Sequence, residues 1–266
     1  MEKSTAKVGI LGFGEIGSSM AQFYKNPRIK DLKKDDGLQG VEVLHICIPW
    51  FDNFIDIVKK EIKLANPKLT IIHTTVAPGT TQKLAKMFGG MVVHSPVRGV
   101  HPHLYKGIKT FGKYIGAENK KAGNMAEKHL ISLGIKTKLF IPAKTTEALK
   151  IWDTTQYGWN IILNKEIKKW CDKNEVDFEK VYTEANISYN QGYKKLGRNE
   201  VLRPYLKYMK GKIGGHCVMQ NCKILDSDIA WIIINLISDF KTASFISVVK
   251  YNLFLFFAIN FSKPGS

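Results

Sequence analysis

One hexapeptide constrains this chain more than any other: Gly12-Phe-Gly14-Glu-Ile-Gly17, at the end of an apolar run and the start of a helical one. Lys7–Leu11 before it has the pattern of a strand, and Ile16–Tyr24 after it has the apolar spacing of a helix. Between strand and helix, each glycine has a task. The first permits the tight turn, the second lets backbone approach a pyrophosphate, and the third lets helix pack on strand. The helix N-terminus then offers N–H groups and a positive dipole end to the phosphates. Gly12, Phe13, Gly14, Glu15, Ile16 and Gly17 are expected to cradle a dinucleotide; a structural glycine turn is the plainer alternative. Asp31, 19 positions after Gly12, stands where a carboxylate accepts from a ribose hydroxyl, with Asp35 and Asp36 as later candidates. An acid there favours NAD, while Arg28, Lys30, Lys33 and Lys34 leave NADP open.

The pattern beyond the motif extends the same architecture. Val41–Pro49 is a nearly continuous apolar run, as in a strand buried on both faces. Phe54–Ala65 has helical spacing; Leu69–His73, Met91–His94, Lys113–Ile115 and Ile135–Ile141 read as strands, and Glu118–Leu133 as a helix. Strands alternating with helices predict an α/β fold with a mostly parallel sheet, a Rossmann dinucleotide-binding domain over residues 1–142. Pro49, Thr74 and Thr75 lie after two of these strands, where open sheets bind ligands, and are expected to meet the cofactor. Thr80 or Thr81 reads as a helix N-cap in the second of those loops. The pattern then becomes helical: one long helix over Thr145–Asn174 and another over Asp177–Gly192 place a helical substrate and dimerisation domain over residues 143–266. Trp152 and Trp159, seven positions apart, read as core or dimer contacts. Ile229–Phe261 is an apolar tail broken by Asp239, Lys241 and Lys250, too interrupted to span a bilayer.

The net charge is +17, with 40 basic residues against 23 acidic ones. The lysines are dispersed rather than clustered with aromatics, so a solvated surface comes first, an anionic small substrate second, and no nucleic-acid partner is expected. Four cysteines without a disulfide-like spacing, and a start that lacks a signal-peptide pattern, lead to an expectation of a reducing, cytoplasmic compartment. Cys47 and Cys171 read as packing. His216, Cys217 and Cys222 match no zinc spacing, and no metal is expected. His73, His94, His101 and His103 cluster near strand ends, where they read either as site residues or as solvated loop histidines.

Six stretches then occur in an order that resembles the UDP-glucose/GDP-mannose dehydrogenase family: GFGEIG, ICIPW, HTTVAPGTT, IGAENKKAGNMAEKHLISLGI, TEALKIWDTT and GKIGGHC. The resemblance covers about residues 7–225. It implies NAD-dependent oxidation of a nucleotide sugar's primary alcohol to a carboxylate, on a Rossmann domain and a long-helix domain that forms a homodimer. It implies Lys150 as the active-site lysine and Cys217 as the nucleophile, with Gly214 and Gly215 letting backbone approach the sugar. A lysine stabilises a developing alkoxide, and a thiolate attacks an aldehyde and later leaves. Several positions depart. Thr154 and Asn221 stand where the family has asparagine and aspartate, Gln220 where it has lysine, and Lys165-Glu166 where it has asparagine-glutamate. Val97 replaces a catalytic glutamate. The family's C-terminal nucleotide-binding domain has no counterpart, so the expected substrate is an anionic sugar derivative. Tyr189, Asn190, Arg203 and His216 are candidates to hold it, Arg203 through its fixed fork of donors. A single-step dehydrogenase of the 3-hydroxyacid type, or a catalytically degenerate cofactor-binding sensor or scaffold, are the alternatives.

Overall fold

The computed structural model describes residues 3–211, 216–225 and 227–239, without the side chains of His216, Ser238 and Asp239. Gly214, Gly215 and most of the apolar tail lie outside the described residues. The chain forms two compact units, Met1–Ile151 and Trp152–Ser266.

The first unit is an α/β sandwich around one eight-stranded sheet. Its strands are β1 (Val8–Leu11), β2 (Arg28–Asp31), β3 (Lys34–Asp35), β4 (Val43–Ile46), β5 (Leu69–Ile72), β6 (Val92–His94), β7 (Lys113–Ala117) and β8 (Thr137–Phe140). They lie in the order β3-β2-β1-β4-β5-β6-β7-β8. Neighbours pair parallel except at β2–β3 and β6–β7. The chain leaves β1 to one side for β2 and returns to its other side for β4, so a crevice opens at the carboxyl ends of β1 and β4.

Alternation along the strands builds a core on each face. Val8, Ile10, Val43 and Ile71 pack on one side with Met20, Ala122, Ala126 and Leu130 from α1 (Glu15–Ala21) and α5 (Lys120–Ser132). Leu11, Leu44, Ile46 and Ile72 pack on the other with Phe54, Val58, Ile62 and Leu84 from α2 (Phe54–Ala65) and α3 (Thr80–Met87). A further helix, α4, covers Leu104–Phe111. The helix α2 has the bounds its amphipathic spacing predicts. The N-cap of α3 is Gly79 at φ +94°, and no hydroxyl of Thr80 or Thr81 caps it.

The long helix α6 (Lys144–Lys173) runs from the first unit into the second. Within the second unit follow a π-helical turn (Glu179–Glu184), α7 (Ala185–Lys195), α8 (His216–Ile224) and α9 (Asp228–Asp239). Where one helix was expected over Asp177–Gly192, the chain makes the π turn before α7. Gly158 lets α8 lie close on α6: a Cβ there would sit 2.5 Å from Val218 Cγ1. Ile162, Val218, Cys222, Ala230 and Ile233 form the small core between α6, α8 and α9. Cys171 is buried against Phe178 and Tyr182 in a second cluster.

Candidate dinucleotide and substrate site

The glycine-rich turn has the geometry its spacing demands. Gly12 sits at φ +91°, and a Cβ there would lie 2.7 Å from Ile48 N. A Cβ on Gly17 would lie 1.9 Å from the Gly12 carbonyl oxygen, so only glycine lets α1 start this close to β1. A Cβ on Gly14 would meet nothing within 4 Å, which leaves its backbone open to a ligand. These three positions fit a dinucleotide diphosphate.

The acids around β2 are told apart by their partners. Asp31 faces the glycine turn: its Oδ2 accepts from Phe13 N at 2.5 Å. Asp35 accepts from Gly37 N and Asp36 from Ile29 N, which commits both to the hairpin. Three of the neighbouring cations are also engaged. Lys30 pairs with Glu61 at 2.9 Å, Lys34 with Asp36 at 3.2 Å, and Arg28 donates to the Gln39 carbonyl at 2.6 Å. With these three cations engaged, an acid at the end of β2 fits NAD better than NADP.

The two following loops are tied together, since Thr74 Oγ1 donates to the Ile48 carbonyl at 2.6 Å. Pro49 is exposed beside that bond and Thr75 is half-buried. Glu15 is engaged with a loop residue. Its Oε2 bonds to His101 Nδ1, and its Oε1 is buried without a hydrogen bond.

The start of α6 is fastened to the carboxyl edge by residues the sequence did not reveal. The Glu147 carboxylate accepts from Gly79 N at 2.6 Å and from Thr81 N at 2.8 Å, and so caps α3 from a position 68 residues further along the chain. Burial raises its pKa, and those N–H bonds oppose the shift. Thr146 Oγ1 lies 2.9 Å from His94 Nδ1. Lys150 follows one turn after Thr146 and Glu147, half-buried, with its charge acting on His94 and Lys113. Burial lowers Lys113 to about 7, and Lys150 adds to that. His73 and His94 are neither solvated nor at the surface. Both are buried and hydrogen-bonded, so His94 cannot serve as a solvent-reaching base.

In the second unit, Asn221 Nδ2 donates to Thr154 Oγ1 at 2.9 Å, so these two departures from the family pattern satisfy each other. Cys217 is half-buried in the first turn of α8. Tyr189, Asn190 and Arg203 are brought together. The Arg203 guanidinium lies 3.5 Å from the centre of the Tyr189 ring, and the Asn190 side chain accepts from Arg203 N and donates to its carbonyl, both at 2.9 Å. Asn190 therefore shapes the backbone here. Arg203 is exposed beside a cavity of about 560 Å³ that Leu163, Trp170 and Tyr182 also line. Among the described residues no group of three or more His, Cys, Asp or Glu could hold a metal, and no helix is long and apolar enough to cross a membrane.

The sheet order, the glycine turn and the acid at the end of β2 define a Rossmann-type α/β fold. No family model matches the chain. Its sequence is similar to UDP-N-acetyl-D-mannosamine dehydrogenase of Pyrococcus horikoshii, 24% identical over 234 residues, which cover 80% of this chain and 53% of that protein. The protein of the same name from Methanocaldococcus jannaschii is 29% identical over 208 residues, 71% of this chain and 45% of that one. The chain thus spans about half the length of the curated relatives it matches. The solved structure of the Pyrococcus horikoshii UDP-D-ManNAc dehydrogenase superposes with a TM-score of 0.67 at 20% identity, over 88% of this chain and 68% of that one. Mycobacterium tuberculosis 3-hydroxyisobutyrate dehydrogenase shares the fold at a TM-score of 0.62 and 12% identity, over 90% and 95%. Both curated relatives bear the name of a nucleotide-sugar dehydrogenase, the class that the order of the six motifs resembles.

Proposed function

We propose that the chain is an NAD-dependent oxidoreductase that oxidises an alcohol of a nucleotide sugar or a related anionic sugar derivative. The observation that carries the reading is the glycine turn whose Gly12 and Gly17 tolerate no Cβ, with Asp31 bonded across it to Phe13 N. Gly12, Gly14 and Gly17 would hold the diphosphate and Asp31 a ribose, with Thr74 and Pro49 beside them. NAD, when bound, supplies the hydride acceptor. Lys150 stabilises the alkoxide that forms as the alcohol loses its proton. Cys217 would add through sulfur to the aldehyde carbon; the thiohemiacetal would then lose a second hydride, to a second NAD, and a proton to give a thioester that water cleaves, freeing the thiol. Arg203 is placed to pair with the anionic group. The exposed stripe of α6 that includes Trp152 and Trp159 supports a homodimer. The test is product analysis with a panel of sugar nucleotides. Cys217→Ser is expected to stop acid formation while leaving the first oxidation; acid formation at the wild-type rate would remove Cys217 from the reaction.

Two observations favour a second reading, a single oxidation. Val97 is buried where the family has a glutamate, and the Asn221 amide is bonded to Thr154 where the family has an aspartate. Neither can act as a general base for thioester hydrolysis. An aldehyde or ketone as the only product would decide for it.

A further inference from the structure

Strands buried on both faces carry aliphatic side chains, and an imidazole among them loses its hydration unless its nitrogens find partners. His45 lies within β4 and His73 directly after β5, and neither is more than 1% exposed. Both are held in one chain of hydrogen bonds. Tyr24 Oη lies 2.8 Å from His129 Nε2 and 2.9 Å from His45 Nε2. His45 Nδ1 lies 2.8 Å from His73 Nε2. His73 Nδ1 lies 3.0 Å from the Ser95 carbonyl oxygen.

That last carbonyl fixes every proton in the chain. It can only accept, so His73 carries its proton on Nδ1. Neutral His73 then offers a lone pair at Nε2, and His45 donates to it from Nδ1. His45 Nε2 is left as an acceptor, so the Tyr24 hydroxyl donates there. The Tyr24 oxygen in turn accepts from His129 Nε2–H. The assignment requires neutral imidazoles. Burial pushes both His45 and His73 well below the ordinary range, and nearby Lys113 pushes the same way. No tautomer in the chain can flip alone without setting two N–H groups, or two lone pairs, face to face.

We propose that His73, backed by His45 and Tyr24, is a positioning residue that holds the Ser95 carbonyl, and with it the loop after β6, at the carboxyl edge of the sheet. Two further buried nitrogens act on the same edge. His94 Nε2 lies 3.0 Å from the Thr74 carbonyl, and Lys113 Nζ donates to the Pro96 carbonyl at 3.3 Å. Three loop carbonyls are thus held from inside the core. The loop is closed from its other side by Val97 N, which donates to the His73 carbonyl at 3.3 Å. The functional weight of the device rests on the reading of this edge as the one that meets cofactor and substrate.

The test does not need a substrate. Long-range ¹H–¹⁵N spectra of the ¹⁵N-histidine-labelled protein at neutral pH are expected to show Nδ1–H tautomers at His45 and His73 and the Nε2–H tautomer at His129. An Nε2–H tautomer at His73 overturns the chain. Tyr24→Phe keeps the ring and removes only the hydroxyl. In that variant amide exchange at Val97 is expected to accelerate about tenfold, as for a loss of roughly 1.4 kcal/mol of local protection, while Ile71 and Ile72 keep their protection. Unchanged exchange at Val97, or equal acceleration throughout β5, overturns the positioning role. Absence of any cofactor reduction by the wild-type protein would sink the proposed activity and leave both spectroscopic outcomes to decide this proposal.

Discussion

The two units solve the problem of buried polar groups in opposite ways. In the first, ladder bonds satisfy the backbone, and unusual side chains are then taken into the core: Tyr24, His45, His73, His94 and Lys113 are all at most 2% exposed. In the second, the segment from Leu202 to Gly211 has no ladder partner, and side chains do the work instead. Asn190 serves both backbone polar groups of Arg203, Tyr182 Oη accepts from Leu206 N at 3.1 Å, and Asn164 donates to the Leu206 carbonyl at 2.9 Å. Lys165 Nζ donates to the Met209 and Gly211 carbonyls, both at 2.8 Å. Two buried lysines make the contrast concrete. Lys113 has one carbonyl and burial lowers it to about 7; Lys165 has two carbonyls and the face of Tyr208, with its pKa lowered by burial. The lesson is that the first unit is sensitive to protons and the second to the loss of individual side-chain donors.

Acid is expected to break the comparison most strongly. Burial is the leading cause that lowers His45, His73 and His94, the last to about 3. Groups with depressed folded-state pKa values contribute stability that is complete above the unfolded value near 6.5 and is lost as pH falls below it. Together with His129, which burial lowers to about 4, these imidazoles are expected to cost several kcal/mol between neutral pH and pH ~5. That is comparable with the whole stability of an ordinary domain. The second unit carries one histidine, His216, against six in the first, so its helices are expected to outlast the sheet. Urea titrations between neutral pH and pH ~5 check this, and a flat profile would show that these imidazoles are not buried in the neutral form.

Next in size is Lys165→Met. It leaves two carbonyls without their donor, at an expected cost of about 2–3 kcal/mol confined to the second unit. Trypsin cleavage after Lys207 and Lys210 should accelerate, and Lys165→Arg should restore part of the protection. Equal cleavage rates in the wild type and Lys165→Met would mean that the segment is held by its other bonds. Disturbance of the first unit, read from amide exchange at Ile71, would end the claim that the two units fail separately.

How much of this was legible in the sequence depends on the distance between partners. The glycine turn, β4 and α2 are local patterns, and each was readable from spacing alone. The hairpin strand β3 is two polar residues, Lys34 and Asp35, too short to show a period. The helix α4 carries Leu104, Ile108 and Phe111 at helical spacing, but over only eight residues with Gly107 inside; Gly107 is there because a Cβ would lie 2.7 Å from Gly99 Cα. The cap of α3 was assigned to a threonine hydroxyl because local caps are the rule, while the true cap, Glu147, comes from another element. The histidines failed for the same reason. Within an apolar run an imidazole reads as an interruption, and its partners Tyr24 and His129 are 105 positions apart. Motif order pointed to Thr154 and Asn221 as departures, but their mutual bond depends on α6 packing against α8.

The smallest expected effect concerns the outer stripe of α6. Trp152, Trp159, Leu163 and Trp170 are 47%, 38%, 44% and 56% exposed, and their spacing of seven, four and seven keeps them on one helical face. Trp152 and Trp159 read from their spacing as core or dimer contacts, and within one chain they are not core. Three tryptophans in a line on one helix make the kind of apolar patch that marks an interaction surface. If a second copy covers it, Trp159→Ser should shift the chain toward monomer by about tenfold or more in dimer dissociation constant, as for an interface aromatic. Trp159 is only 38% exposed, so the same substitution in the monomer also removes buried apolar area, and the unfolding free energy measured at concentrations below dissociation should fall by about 1–2 kcal/mol. Sedimentation velocity across a dilution series separates the two. An unchanged sedimentation coefficient in Trp159→Ser would remove this face from the interface, and a large loss of monomer stability would show that the tryptophan supports the second unit from within.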